Sequence, residues 1–210
     1  MLELVSVHIP KTGGSSLGAT LNRKYGRRLC LVFPPLKFPL RSRLVGEVRR
    51  IGRHVKSFPA VCVHGHFPAS RYANAKANMI TFVRDPVERR VSTWNYVRRE
   101  HDRLGVIANS EWKKALDMDL AEFVALPNRT LAQFLDVPMT RFSFVGSMAD
   151  FDADVARLCA WLSVEYVQEK LNAAPERSTA SADFRAAFER ANPQEIEIFE
   201  RAMARRKEAG

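Results

Sequence analysis

Long apolar runs are missing from this chain of 210 residues. None approaches the ~18 residues that a membrane-spanning helix needs, so no membrane span is expected. A basic segment followed by a signal-type apolar stretch is missing too, because an apolar run starts almost at Met1. Cysteine is scarce: Cys30, Cys62 and Cys159 are an odd number, and each lies in an apolar stretch. That pattern argues against a disulfide framework and for buried free thiols in a reducing compartment, so a cytoplasmic protein is expected. Zinc-finger spacing, an aromatic-rich RNA-binding signature, internal repeats and low-complexity tracts are all lacking. Acidic residues are in deficit, 23 Asp and Glu against 33 Lys and Arg, which leaves a net charge of +10. Such a surplus favours an anionic partner: a nucleotide, an anionic polysaccharide, nucleic acid or an acidic membrane surface. With no motif to support it, nucleic acid is not expected. The remaining composition, 46% hydrophobic and 27% charged, is that of an ordinary globular chain and fits one domain over residues 1–210.

What is present is concentrated at the start. An apolar run from Leu2 to Ile9 reads as a buried strand, followed by Pro10-Lys11-Thr12-Gly13-Gly14-Ser15-Ser16. Leu17, Leu21 and Tyr25 then recur at helical spacing, and Gly26 can close that helix. A strand, a glycine turn and a helix N-terminus form an anion cradle: backbone N–H groups converge, the glycines allow close approach, and the helix dipole favours negative charge. Lys11 adds a point charge at the rim. The turn is not a Walker A loop, in which the lysine follows the glycines, and no apolar run ending in paired acids offers a Mg²⁺ ligand. A plain strand-to-helix connection is the bland alternative.

Further along, Leu29 to Phe33 reads as a second strand, stopped by Pro34-Pro35. Leu40, Leu44, Val48 and Ile51 predict a basic amphipathic helix. Ala60 to Val63 is a brief strand leading into His64-Gly65-His66, and Asn78 to Val83 is another, ending in Arg84-Asp85-Pro86. Asp85 suits an N-cap and Pro86 the first helical position. A loop is expected from residue 102, then short helices near Leu120–Leu126 and Arg129–Leu135. A strand follows at Phe142–Val145, then a helix capped by Asp150 and a strand near Tyr166–Val167. A polar loop at Asn172–Ala182 leads to a helical tail broken at Asn192-Pro193. Alternating strands and helices argue for an α/β fold with a parallel sheet and helices on both sides.

In such a sheet, ligands gather at the C-terminal strand ends. The Lys11 turn, His64–His66 and Arg84 should all lie there. Arg84, with Ser92 two turns into the next helix, could hold a second phosphate; an ion pair for Arg84 and a filler role for Ser92 are the alternative. Histidine titrates near neutrality and can take a proton from a hydroxyl. Taken singly, each histidine is more often structural. The His-x-His spacing is read as sending the two rings to opposite sides of an extended segment.

These motifs resemble the sulfotransferases that use 3′-phosphoadenosine 5′-phosphosulfate (PAPS). The likeness rests on Pro10-Lys11-Thr12-Gly13-Gly14-Ser15-Ser16, on Arg84-Asp85-Pro86-x-x-Arg89-x-x-Ser92, and on Leu171-Asn172 with Arg177-Ser178. His64-Gly65-His66 between the first two is similar to the carbohydrate branch containing heparan sulfate and uronyl 2-O-sulfotransferases. The resemblance implies a three-layer, P-loop-like α/β fold with a central parallel sheet flanked by helices. It further implies that Lys11, Thr12, Gly13, Gly14, Ser15 and Ser16 bind the 5′-phosphosulfate. Arg84 and Ser92 would bind the 3′-phosphate, and Arg177 and Ser178 would close over the same end. His66 would be the general base, His64 its support or a substrate contact, and Lys11 would neutralise the leaving group. No metal is required. The product implied is adenosine 3′,5′-bisphosphate, and the partner expected is a carbohydrate or glycolipid hydroxyl, with a small alcohol or a peptide hydroxyl left open. Without the anchor and stem of Golgi members, a bacterial or otherwise cytosolic relative is expected. Residues 102–142 match no motif. Two other readings stay open: a P-loop-like nucleotide-dependent phosphotransferase, and a non-catalytic binder of anionic polymers.

Overall fold

The computed structural model describes residues 1–33, 60–105, 109–168 and 180–208. Five strands, β1 (Leu4–Val7), β2 (Leu29–Val32), β3 (Cys62–Gly65), β4 (Asn78–Val83) and β5 (Phe144–Ser147), form one sheet in the order β2-β3-β1-β4-β5. Every pairing is parallel, with Ser6 beside His64 and Val7 beside Thr81. A parallel sheet needs both faces covered, and its strands here are apolar on both sides. Because side chains alternate along a strand, one face collects Leu4, Cys62, Ile80, Phe82 and Phe144. That face packs against α1 (Gly14–Tyr25), through Leu17 and Leu21, and α6 (Phe151–Leu162), through Leu158 and Leu162. The other face collects Val5, Val7, Val63, Met79, Val83 and Val145. It is covered by Leu131 and Phe134 of α5 (Thr130–Phe134) and by Ile198 and Ala202 of α8 (Pro193–Glu208).

Helix α2 (Pro86–Leu104) starts as its sequence demands: the Asp85 carboxylate accepts from the Val87 and Glu88 amides at 3.0 Å, with Pro86 in the first turn. Val87 and Val91 pack with Val124 of α4 (Leu120–Ala125) and Phe188 of α7 (Ala182–Ala191). Val97 packs with Ala115 of α3 (Ser110–Asp117) and Phe123 of α4. The loop expected from residue 102 therefore begins later. Helix α2 runs to Leu104 and is closed by Gly105 at φ 65°, and α3 follows from Ser110.

Other departures have simple causes. No strand forms at Tyr166–Val167; both side chains stand at the surface, 36% and 42% exposed, and the segment pairs with none of the five strands. Strand β5 starts at Phe144 because Met139–Arg141 is a 3₁₀ turn that holds the Phe142 amide. Asp150 precedes α6 but caps nothing with its side chain, which instead accepts from Arg206 at 2.8 Å. The amphipathic segment at Leu40–Ile51 lies outside the described residues. No described helix is long and apolar enough to cross a membrane.

Candidate active site

The chain leaves β1 toward β2 and leaves β4 toward β5, in opposite directions along the sheet. Their following segments diverge and open a crevice at the C-terminal strand ends, where open parallel sheets bind ligands. The Lys11 turn follows β1 and Arg84 follows β4, so the two sides of this crevice carry the residues singled out by sequence. Two surface grooves, of about 540 and 390 Å³, lie instead at the N-terminal strand ends, the first lined by Met1, Glu3 and Arg141 and the second by Glu3, Lys24 and Trp161. They share no residue with these motifs.

The turn is built by its own sequence. Lys11 and Gly13 adopt left-handed φ values of 71° and 73°. The Thr12 hydroxyl, 1% exposed, donates to the Ile9 carbonyl at 2.8 Å. That bond folds the turn on itself, so Thr12 supplies shape rather than a ligand hydroxyl. Gly13 is the N-cap of α1 and offers no side chain to its amides, and no acidic residue stands in the first turn. The helix therefore presents N–H groups and a positive dipole end that an anion would satisfy. A Cβ on Gly13 would lie 2.4 Å from the Phe151 ring. The fit to a phosphosulfate rests on that uncapped N-terminus and the glycine cradle around it.

Cations gather at the rim. The Lys11 ammonium sits 3.8 Å from the centre of the Tyr96 ring. Burial, then the nearby Arg99 and Arg84 guanidiniums, bring its pKa down to about 8, with Glu100 pulling the other way. Arg84 and Lys11 thus share one electrostatic neighbourhood. The Arg84 Nε lies 3.6 Å from Glu88, in a pair that is part-exposed and correspondingly weak. Ser92 is half-buried on α2, roughly 10–12 Å along the helix axis from Arg84. Asp85 also accepts from Arg185 of α7 at 2.9 Å, which fixes the start of α2 beside Arg84.

The histidines are arranged differently from the sequence expectation. Residues two apart in a strand share a face, so His64 and His66 do not diverge. Both rings contact a third histidine, His8, at centroid separations of 5.2 and 4.7 Å. The cause is register: Ser6 pairs with His64, which brings His8 alongside His66. The Ser6 hydroxyl and His64 Nδ1 are 2.8 Å apart, and His64 is 1% exposed. Burial lowers its pKa to about 4, with the Gly14 backbone opposing the shift. Burial likewise lowers His66 to about 4, and His8 is pushed well down by burial, His64, His66 and Lys11. All three are neutral at pH 7. Phe33 packs edge-on to His66 at 4.9 Å, and Phe134 at 6.1 Å.

The structure thus brings Lys11, Thr12, Gly13, Gly14, Ser15, Ser16, Arg84, His64 and His66 to one edge of the sheet. Arg177 and Ser178 lie outside the described residues. Sequence reasoning missed His8, Tyr96 and Arg99. A signal for His8 existed: Ser6 and His8 are polar residues spaced by two in an apolar strand, matching His64 and His66. Tyr96 and Arg99 carried none, since each is one of many polar residues on a long helix. Among the described residues no group of three or more His, Cys, Asp or Glu could hold a metal ion.

The profile of the sulfotransferase family (Sulfotransfer_2) matches residues 2–205, and the chain belongs to that family. No curated protein matches it in sequence. Among solved structures it is similar to mouse sulfotransferase SULT7A1 complexed with PAP (15% identity, 80% of this chain and 60% of that chain, TM-score 0.45). It is similar also to retinol dehydratase in a complex with retinol and PAP (11%, 79% and 61%, TM-score 0.41). A third is a sulfotransferase from Alicyclobacillus acidocaldarius (17%, 99% and 94%, TM-score 0.41). The chain spans about three fifths of the length of the first two.

Proposed function

We propose that the chain is a PAPS-dependent sulfotransferase that moves the sulfuryl group to a hydroxyl of a carbohydrate-type acceptor. The observation that carries this reading is the placing of the Lys11 turn after β1 and of Arg84 after β4, on opposite sides of the β1–β4 crevice, beside a helix N-terminus that no side chain of its N-cap closes. Two cations held together in a half-buried site favour an anion between or beside them. A nucleotide with phosphate groups at both ends matches that demand and the family.

PAPS, when bound, supplies an activated sulfuryl group on a good leaving phosphate. The chain's residues supply the rest. The amides at the start of α1, with Gly13 and Gly14 giving close approach, hold the 5′ side. Lys11 neutralises the charge that grows on the leaving oxygen. Arg84 and Ser92 hold the 3′-phosphate, and Arg177 and Ser178 close over the same end. His66 takes the acceptor proton; its neutral ring at pH 7 has the lone pair this requires, and an anionic donor nearby strengthens it as a base. At 1% exposure His64 is out of an acceptor's reach, so it supports the cluster through Ser6. Binding and charge placement, rather than covalent chemistry, do most of the catalysis.

The test is incubation with PAPS and a panel of neutral and anionic glycans, read by mass spectrometry for added sulfate. Sulfation of at least one glycan is expected, with His66→Ala lowering turnover ~10²-fold while nucleotide binding persists. Sulfate on none of them, but on a small alcohol or peptide, rejects the carbohydrate acceptor. Unchanged turnover in His66→Ala rejects His66 as base.

A further inference from the structure

His8 lies between the two halves of the site, with His66 on one side and the first turn of α1 on the other. Its ring lies 4.7 Å from that of His66, tilted by 40°. Its Nε2 edge lies so close to the first turn of α1 that a Cβ on Gly14 would sit 1.9 Å away. Among the described residues, His8 Nδ1 and His66 Nε2 are buried without a hydrogen-bond partner. A buried polar atom left unpaired is costly, and such atoms concentrate where function needs them. The two orphaned nitrogens are not within hydrogen-bond distance of each other in this arrangement, but the rings are in contact, so a rotation of one ring would let a single proton serve as donor on one and meet an acceptor on the other. A packing role alone would be filled better by an apolar ring.

Resting on the sulfuryl-transfer reading above, we infer that His8 receives the acceptor's proton from His66 and holds it beneath the phosphate turn until the nucleotide product leaves. The acceptor O–H bond breaks as an N–H bond forms on His66. The acceptor oxygen bonds to sulfur while the sulfur–oxygen bond to the nucleotide breaks, its electron pair leaving on the 5′-phosphate. The proton then passes from His66 to His8 and goes to solvent when the product departs. Among the described residues the groups that hold His8 neutral are Lys11, which is charged, and His64 and His66, which would repel it if protonated; no carboxylate opposes them. An anion on the turn is therefore what makes a proton there tolerable, which ties its residence to nucleotide occupancy. His8 acts through His66 and is a positioning residue in that sense.

Calorimetric titration with adenosine 3′,5′-bisphosphate at about pH 6.5, in two buffers of different ionisation enthalpy, counts protons taken up on binding. Lys11 is already charged at that pH, and comparison with His8→Phe cancels the nucleotide's own ionisation. The wild type is expected to take up more protons per nucleotide bound than His8→Phe, whose larger ring presses on Gly14, so the affinity of the variant is read from the same titration and the uptake is compared at saturation. The variant's kcat should fall ~10-fold or more with little change in donor KM. Equal proton uptake, or an unchanged kcat, overturns the role of His8 while leaving the sulfotransferase reading intact. Absence of nucleotide binding by the wild type overturns that reading itself. If His8→Phe loses its near-ultraviolet dichroism, His8→Asn, which cannot titrate, carries the same comparison.

Discussion

The Lys11 ammonium rests 3.8 Å from the centre of the Tyr96 ring, so the loop after β1 is tied to the third turn of α2 by a cation–π contact. The contact holds Lys11 in a half-buried position beside Arg99 and Arg84, and its charge becomes easy to lose. The folded chain binds this proton less tightly than the unfolded one, with a pKa of about 8 against an ordinary 10.5. Stability from this group therefore rises as pH climbs through that window, because the unfolded state holds more protons there. Nucleotide binding runs the other way, since it needs the charge. For the wild type, kcat/KM for the donor should fall as pH rises through about 8. Lys11→Met should abolish that limb and cost ~10²–10³ in kcat. A flat wild-type profile up to pH 10 would reject Lys11 as the charged group.

On the proposed reading, in which it holds the 3′-phosphate, Arg84 would tell one nucleotide from another. Arg84→Ala removes a charge from the β4 side of the crevice while the Lys11 turn stays as it is. It should weaken binding of adenosine 3′,5′-bisphosphate ~10-fold or more and barely change binding of AMP, because a charge-assisted contact to one phosphate is at stake. Calorimetry showing equal losses for both nucleotides would separate Arg84 from the 3′ end.

Local features of the chain were readable before its shape was known. Asp85-Pro86 announces the start of α2, the Leu17–Tyr25 spacing predicts α1, and Asn78–Val83 is a strand over that same span. What local patterns could not reveal is where long side chains find partners. Arg89, which looks like a solvated residue, is 2% exposed, bonded to Asn128 at 2.7 Å and 3.9 Å from Glu195. Arg90 lies over the Phe123 ring and binds Glu111 at 2.6 Å. Glu195 itself accepts from the Leu131 and Ala132 amides and so closes the start of α5. These links join segments 20 to more than 100 residues apart in the chain. The histidine cluster is intermediate: each strand shows its polar alternation, but only the β1–β3 register aligns them.

Asp154 anchors α6 and α8 to the end of β5. It is fully buried and accepts from the Ser147 amide at 2.7 Å and from Arg206 at 2.7 and 3.0 Å. Asp154→Ala would leave a buried amide unpaired and the Arg206 guanidinium without its main partner. A loss of about 3 kcal/mol is expected, within the range for breaking a buried pair from one side. Urea denaturation checks this, and a loss below about 1 kcal/mol would mean that Arg206 re-pairs with Asp150 at little cost.

Gly14 and Gly18 are one turn apart on the same helix, and they should respond oppositely to alanine. A Cβ at Gly14 would lie 1.9 Å from His8 Nε2, whereas one at Gly18 would be 3.7 Å from the His64 ring, an ordinary contact. Gly18→Ala should therefore stabilise the chain by about 0.5–1 kcal/mol through helix propensity. Gly14→Ala must push His8 aside or tilt the first turn of α1. It should cost about 1–3 kcal/mol and weaken binding of adenosine 3′,5′-bisphosphate. Since the clash is with one side chain, adding His8→Ala should recover part of both losses, with a coupling of about 1 kcal/mol or more in the double-mutant cycle. Additive effects would place the strain in the backbone of the turn rather than between Gly14 and His8.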